Sequence, residues 1–235
     1  MLDYSIIPPS RFNAVIEHLR VNFPDEPLNA SVGLCLHGIP CPLLEHHDLK
    51  TMQDGMSIMA VDKEKNKVGL IGNILLLNSD YFWPRKIAGV ALNGTSKRGE
   101  TEQSIEEMKT IENLEYRRIF GLLNDVNLEL DLFSKYNVDK IFEVRILSVD
   151  SSYRGKGIAK ELFAQSEAMA RKNAFKVVVM KTDATSLFTQ KVAESQGFWV
   201  EKSVNYHDYK DEQGKKIYDT RPPHLHYKVM AKLIE

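Results

Sequence analysis

The chain has 235 residues, 31 basic and 32 acidic, for a formal net charge of −1. That balance leaves no electrostatic footprint for nucleic acid, and no run of about 18 apolar residues is present to span a bilayer. The length suits one domain, residues 1–235, with a substantial core of its own.

The opening Met1 to Pro9 lacks the charged and apolar regions of a secretory signal. Cys35 and Cys41 read as two free thiols, the pattern of a cytoplasmic protein. Ser10 is placed to cap a first helix whose apolar face is Phe12, Val15, Ile16 and Leu19. Phe23 to Leu28 carries two prolines and reads as a stiff, exposed turn. A second helix covers Pro42 to Met52, with His46 and His47 on its surface. A hairpin follows, from Ser57 to Val61 and from Val68 to Leu77 about a charged turn, Asp62 to Lys67. Ile87 to Leu92 reads as a strand, Gly94 to Glu102 as a mobile polar loop, and about 103–134 as helical. The segments 10–52 and 103–134 form the helical part of the chain, and 141–197 the core that carries the central motif.

In that core a strand, Ile141 to Val149, runs through a polar turn into the basic loop Arg154, Gly155, Lys156, Gly157, Ile158, Ala159. An amphipathic helix to Asn173 begins at once, with Ile158, Leu162 and Met169 on its apolar side. A strand from Phe175 to Met180, a helix from Ser186 to Gln196 closed by Gly197, and strands Phe198 to Tyr206 and His226 to Leu233 complete the chain. A glycine loop at a helix start gathers unpaired N–H groups and the positive end of the helix dipole, which suits phosphate. The nucleotide-triphosphate loop needs Ser or Thr after Gly-Lys, which is missing, and Lys160 occupies the third glycine of the dinucleotide fingerprint.

Arg154, Gly157 and Ala159 match the pattern Arg/Gln-x-x-Gly-x-Gly/Ala. On these residues the chain resembles the Gcn5-related N-acetyltransferase (GNAT) superfamily. Asp25-Glu26-Pro27-Leu28-Asn29, the ending Pro223 to Lys232 and the pair Gly197-Phe198 resemble, more narrowly, the insect arylalkylamine N-acetyltransferases. The resemblance implies an α/β (α+β) fold whose mixed central sheet, flanked by helices, splays at the coenzyme strand, and acetyl-CoA as co-substrate with no metal. By the same resemblance Leu147, Ser148 and Val149 pair with the pantetheine arm, Arg154, Gly155, Lys156, Gly157, Ile158 and Ala159 hold the pyrophosphate, and Ser186 either binds the coenzyme or caps its helix. Lys160 either reaches a phosphate or stays solvated.

Acetyl transfer to an amine needs a base for the ammonium, donors for the developing oxyanion, and a proton for the departing thiolate. The resemblance implies Glu26 as base at the amine site, either directly or through one water, and His224 beside the substrate. Ala193 stands where many relatives have a tyrosine that protonates the thiolate, so Thr185 and Thr189 are the candidate hydroxyls there. His224 and His226 alternate along a predicted strand and cannot chelate one metal together. The implied acceptor is a small arylalkylamine of the dopamine, octopamine, tyramine, serotonin or tryptamine class, bound by a monomer. Apolar pocket walls are expected from Gly38 to Leu44 and from Tyr81-Phe82-Trp83. A polyamine or other small amine, a protein acceptor, and an acetyl-CoA-binding regulatory module without a base are the alternatives.

Overall fold

The strands are β1 (Leu2–Ile6), β2 (Ile58–Asp62), β3 (Ile87–Lys97), β4 (Lys140–Val149), β5 (Val178–Ala184), β6 (Trp199–Asn205) and β7 (His226–Ile234). Among the described residues they form a seven-stranded sheet in the order β1-β2-β3-β4-β5-β7-β6. The computed structural model describes residues 1–63, 85–173 and 178–234. Only the β4–β5 pair is parallel among the described strands. A parallel pair needs a crossover, and α7 (Ile158–Lys172) supplies it.

Alternation in β4 decides what each face of the sheet buries. Phe142, Val144, Leu147 and Val149 join Ile158, Leu162 and Phe163 of α7 and Ala193 of α8 (Leu187–Ser195) in one core cluster. Ile141 packs on the other face against Ile119, Leu122 and Val126 of α5 (Leu114–Leu130). Ile146 does so against Val15, Ile16 and Leu19 of α1 (Phe12–Asn22) and Met52 of α3 (Pro42–Gln53). Strict alternation would put Ile146 on the face of Val144. A bulge restores it to the other side, since Leu92 pairs with Ile146 but Asn93 with Val144, leaving Arg145 as the extra residue.

Several boundaries differ from the sequence reading. The chain begins with β1, an edge strand paired to β2 that went unanticipated. Ser10 lies inside a 3-10 turn, Pro9–Arg11, and α1 starts only at Phe12. The proline segment is no exposed turn: Pro27 opens a short helix, α2 (Pro27–Val32), and Pro24, Pro27 and Leu28 are buried. Proline is favoured there because a first-turn N–H has no helical acceptor. The segment expected as a mobile loop splits between β3, which runs on to Lys97, and α4 (Glu100–Met108). The single helical stretch 103–134 is three helices: α4 ends at Met108, α5 begins at Leu114 under an Asn113 cap, and Asp131 takes a left-handed φ of 37° that separates α5 from α6 (Leu132–Tyr136). The predicted strand Val68 to Leu77 and the Tyr81-Phe82-Trp83 wall lie outside the described residues, as do Ala174 to Val177 before β5.

The β4–β5 ladder joins Ile141–Val144 to Val179–Thr182 and then stops. A buried charge network sits at the stopping point. Lys181 Nζ donates to Glu143 Oε1 at 2.7 Å, to Asn127 Oδ1 at 2.6 Å and to Asp183 Oδ2 at 3.2 Å. Glu143 Oε2 accepts from Ser96 Oγ (2.5 Å) and Arg145 Nε (3.2 Å). Tyr227 Oη donates to Asp183 Oδ1 at 2.6 Å. Burial works to raise the Glu143 pKa, but Lys181 and Arg145 overcome it and hold the carboxyl at about 2.

Removing one partner of a buried ion pair strands the other, at a cost of about 3–5 kcal/mol. Lys181→Met is therefore expected to lower the unfolding free energy measured by chemical denaturation by about 3–5 kcal/mol. In the wild type, the Glu143 contribution is present above the ordinary glutamate pKa of about 4.3 and fades as pH falls towards 2. Lys181→Met should lose that acid-side slope; an unchanged slope would show that Glu143 is not held by this pair.

Candidate active site

The candidate coenzyme loop, Arg154 to Ala159, is built from its backbone. The turn after β4 is closed by Asp150, whose Oδ1 accepts from the Ser152 N–H at 2.9 Å. Gly155 and Gly157 follow, both at φ 77°, a left-handed conformation that strains any residue with a Cβ. A Cβ built at either would meet nothing within 4 Å, so both glycines border open space. The first intrahelical bond of α7 runs from Glu161 N–H to Gly157 O at 3.1 Å, leaving the N–H groups of the preceding turn turned to the loop. Beyond Val144, β4 has no strand partner on its β5 side among the described residues. An extended amide chain ending in a diphosphate fits this combination of an unpaired strand edge and a phosphate cradle. The residues present therefore suit coenzyme A.

A cleft of ≈ 2080 Å³ runs from this loop across the parted strands to α3, α4 and α5. Leu147, Ser148, Val149, Arg154, Gly155, Gly157, Ile158, Ala159 and Lys160 line it at one end. Lys156 does not. Its Nζ turns back to Ser152 O at 3.3 Å and lies 4.9 Å from the Tyr153 ring centre, so any part it plays in phosphate binding is through its N–H. Arg154 Nε donates to Val149 O at 3.2 Å, and its Nη2 stands 3.9 Å from Asp25 Oδ2.

Glu26 lines the same cleft. It is the N-cap of α2, with Oε2 accepting from the Asn29 N–H at 2.7 Å. Asn29 is buried, and its side chain ties Pro24 O (2.9 Å) to both backbone groups of Cys35 (3.1 and 2.7 Å), so the loop is held from two sides. Glu26 Oε1 is buried and has no hydrogen-bond partner among the described residues. Burial raises the Glu26 pKa above the ordinary carboxylate range, against the Thr185 hydroxyl and the N–H groups of Asn29 and Leu28, which favour the charged form. Thr185 thus lies near Glu26 without completing a hydrogen bond to Oε1.

Thr185, Ser186, Thr189 and His224 line the cleft too. Tyr206, fully buried, donates its hydroxyl to Thr185 O at 2.7 Å and fixes the turn after β5. Ser186 caps α8, accepting from the Thr189 N–H at 3.0 Å, and its hydroxyl lies 2.9 Å from that of Thr189. His224 precedes β7, so the expected alternation with His226 along one strand does not occur. Its Nδ1 accepts from the Leu187 N–H at 3.1 Å, which puts the proton of the neutral ring on Nε2. Burial lowers its pKa, and its ring meets Phe188 edge-on at 5.2 Å.

The sequence reading missed the opposite wall. His47 is not a surface residue: it is half-buried, lines the cleft, and burial pushes its pKa down to about 4. It meets Phe120 edge-on at 5.3 Å, and Phe120 stacks on Tyr116 at 4.2 Å. Leu43 and Leu44 also line the cleft, from the expected Gly38 to Leu44 segment. Arg145 lies over Gly94, where a Cβ would come within 2.6 Å of the guanidinium, and donates to Thr51 Oγ1 at 3.3 Å. Charged Glu143, Arg145 and Lys181 within otherwise apolar strands were the signal available. Among the described residues no group of three His, Cys, Asp or Glu side chains is arranged to hold a metal ion.

Residues 130–198 match the model of the acetyltransferase (GNAT) family. The crystal structure of arylalkylamine N-acetyltransferase 2 from Aedes aegypti is 42% identical, covers 100% of this chain and 99% of its own, and superposes with a TM-score of 0.87. A polyamine N-acetyltransferase from Drosophila melanogaster shares the fold at 18% identity, with a TM-score of 0.78 over 100% of both chains. An N-acetylaspartate synthetase from Xenopus tropicalis is 41% identical over 69 residues, 29% of this chain and only 26% of that relative. The full-length likeness to the Aedes aegypti enzyme, with a coenzyme loop and a capped inward carboxylate in one cleft, places the chain in the arylalkylamine N-acetyltransferase family of the GNAT superfamily.

Proposed function

We propose that this N-acetyltransferase moves the acetyl group of acetyl-CoA to the primary amine of a small arylalkylamine, of the dopamine, octopamine, tyramine, serotonin or tryptamine class, by direct attack in a ternary complex. The observation that carries the proposal is the buried, unpartnered Oε1 of Glu26 in the cleft that also holds the glycine loop. When bound, the coenzyme supplies an activated acetyl thioester. Glu26 takes a proton from the incoming ammonium, directly or through a water, and its raised pKa brings it nearer the working pH. The strand edge beyond Val144 offers N–H groups to the thioester oxygen. The hydroxyls of Thr185 and Thr189 are the candidates to protonate the thiolate, since Ala193 is fully buried and carries no donor.

The aryl acceptor rests on the wall of His47, Tyr116 and Phe120. A polyamine would bring a second cation to the floor of the cleft, where both oxygens of Glu143 and of Asp183 already have partners. Glu143 and Asp183 are thus already engaged, and the wall offers an aromatic ring several edges and faces. A cytoplasmic setting is supported by the two free thiols, Cys35 and Cys41.

Glu26→Gln keeps the cap acceptor and removes the base. It is expected to lower kcat by about 10²-fold or more with little change in coenzyme affinity. In the wild type the rate should fall as pH drops through the raised Glu26 pKa, and the variant should lack that limb. The same change should raise Tm at neutral pH, because burying the anion costs stability above its raised pKa. That gain should vanish below the ordinary value of about 4.3. Undiminished turnover would exclude Glu26 as the base.

Phe120→Ala is expected to raise KM for arylalkylamines about tenfold, one aromatic contact plus burial being worth about 1–2 kcal/mol. The KM for acetyl-CoA should stay put. An assay across a panel of aromatic amines and polyamines tests the acceptor class; turnover of polyamines in preference to aromatic amines would overturn it.

A further inference from the structure

The half of β4 that binds coenzyme in this reading has lost its partner on one side. Something else must hold it at the register the loop requires. On the face away from α7, one histidine reaches it. His18 of α1 is buried at 8% exposure, and its Nε2 lies 3.1 Å from Ser148 Oγ, itself in a residue only 5% exposed. One helical turn on, Asn22 lies on the same side of α1. Its Oδ1 accepts from the Ser151 N–H at 3.3 Å, and its Nδ2 donates to His18 O at 3.0 Å and faces His18 Nδ1 at 3.5 Å.

These contacts assign the proton. A backbone N–H can only donate, so Ser151 requires the oxygen of the Asn22 amide. The amide nitrogen then faces His18 and makes Nδ1 the acceptor. The remaining proton sits on Nε2 and points at Ser148 and at the backbone carbonyls of Ser148 and Ile87. The ring is thus a neutral donor that ties α1 to β4 and to the start of β3. Burial favours this neutral form and lowers the pKa to about 4; Asp150 acts against that shift and Lys86 with it.

We infer that His18 and Asn22 form a positioning brace: from behind the sheet they fix the segment Ser148 to Ser151, and so place the strand edge and the phosphate loop for the coenzyme. Neither residue touches the reacting atoms in this role. The helix supplies to one face of β4 the restraint that β5 ceases to supply at its edge. The inference rests on the acetyl-CoA reading above.

The test is calorimetric titration of the intact protein with coenzyme A, alongside acetyl-transfer kinetics. His18→Leu fills the space and loses the donor, and should raise the Kd for coenzyme A and the KM for acetyl-CoA about tenfold. The amine KM, and kcat at saturating acetyl-CoA, should stay within about twofold of wild type. His18→Gln, whose amide nitrogen can reach the place of Nε2, should recover most of the affinity. A role in stability alone would lower Tm in both variants and leave the Kd of the folded fraction unchanged, and that result would overturn the brace. If His18→Leu does not fold, Asn22→Leu carries the same expectation and the same refutation. A wild-type protein that binds no coenzyme A would instead sink the acetyltransferase reading on which the brace depends.

Discussion

The ladder between β4 and β5 runs for four residue pairs and then ends, and the working parts of the molecule are arranged around that ending. Two parallel strands stay together while their backbone groups can pair, and they part where something holds one of them aside. Here the bulge at Arg145 bends β4 away just past the last pair. Glu143 and Lys181, directly opposite each other in register, close the joined part with a buried ion pair. Past it, an edge of peptide groups faces the open cleft, and the coenzyme loop lies at the far end of that edge.

Such an opening must be stiff to be useful, because a strand that drifts by an ångström no longer presents its donors correctly. Three restraints act on different sides. The Glu143, Arg145, Lys181 and Asp183 network clamps the apex, with Asn127 and Tyr227 satisfying what remains of its hydrogen-bonding groups. The apolar cluster under α7 holds one face of β4. His18 and Asn22 hold the other. Glu26, the proposed base, is restrained by a different device, a helix cap on a proline-initiated turn, which satisfies one oxygen and leaves the other buried with no partner among the described residues. Burial of that carboxylate disfavours its charged form and raises its pKa.

Strands β2 to β7, with α3, α7 and α8, were legible in the sequence because their signals are local, whereas the edge strand β1 was not. Glycines that need a left-handed φ, a helix start at the residue after Gly157 and an apolar stripe at helical spacing all lie within twenty residues of chain. The misreadings were failures of context. Pro24 and Pro27 looked like an exposed turn, yet Leu28 fills a place in the core beside Ile119 and Leu122, and burial draws the segment into a helix. His47 looked solvated because α3 is only weakly amphipathic, and its ring is buried by Phe120 from a helix more than seventy residues away.

By itself the sequence determined the family, and with it the use of acetyl-CoA, through the glycine loop. The phosphate cradle is made of backbone groups, and backbone conformation at Arg154 to Ala159 is set by which residues lack a Cβ. It also pointed to Glu26, through a short motif. Only the tertiary structure decided what surrounds that carboxylate: which oxygen is capped, which is buried without a partner, and which aromatic rings stand in the same cleft. Desolvation and ring packing are properties of side chains that meet from α2, α3, α5 and the turn after β5. No local pattern encodes them, because each depends on atoms that the chain brings together only when the sheet has formed.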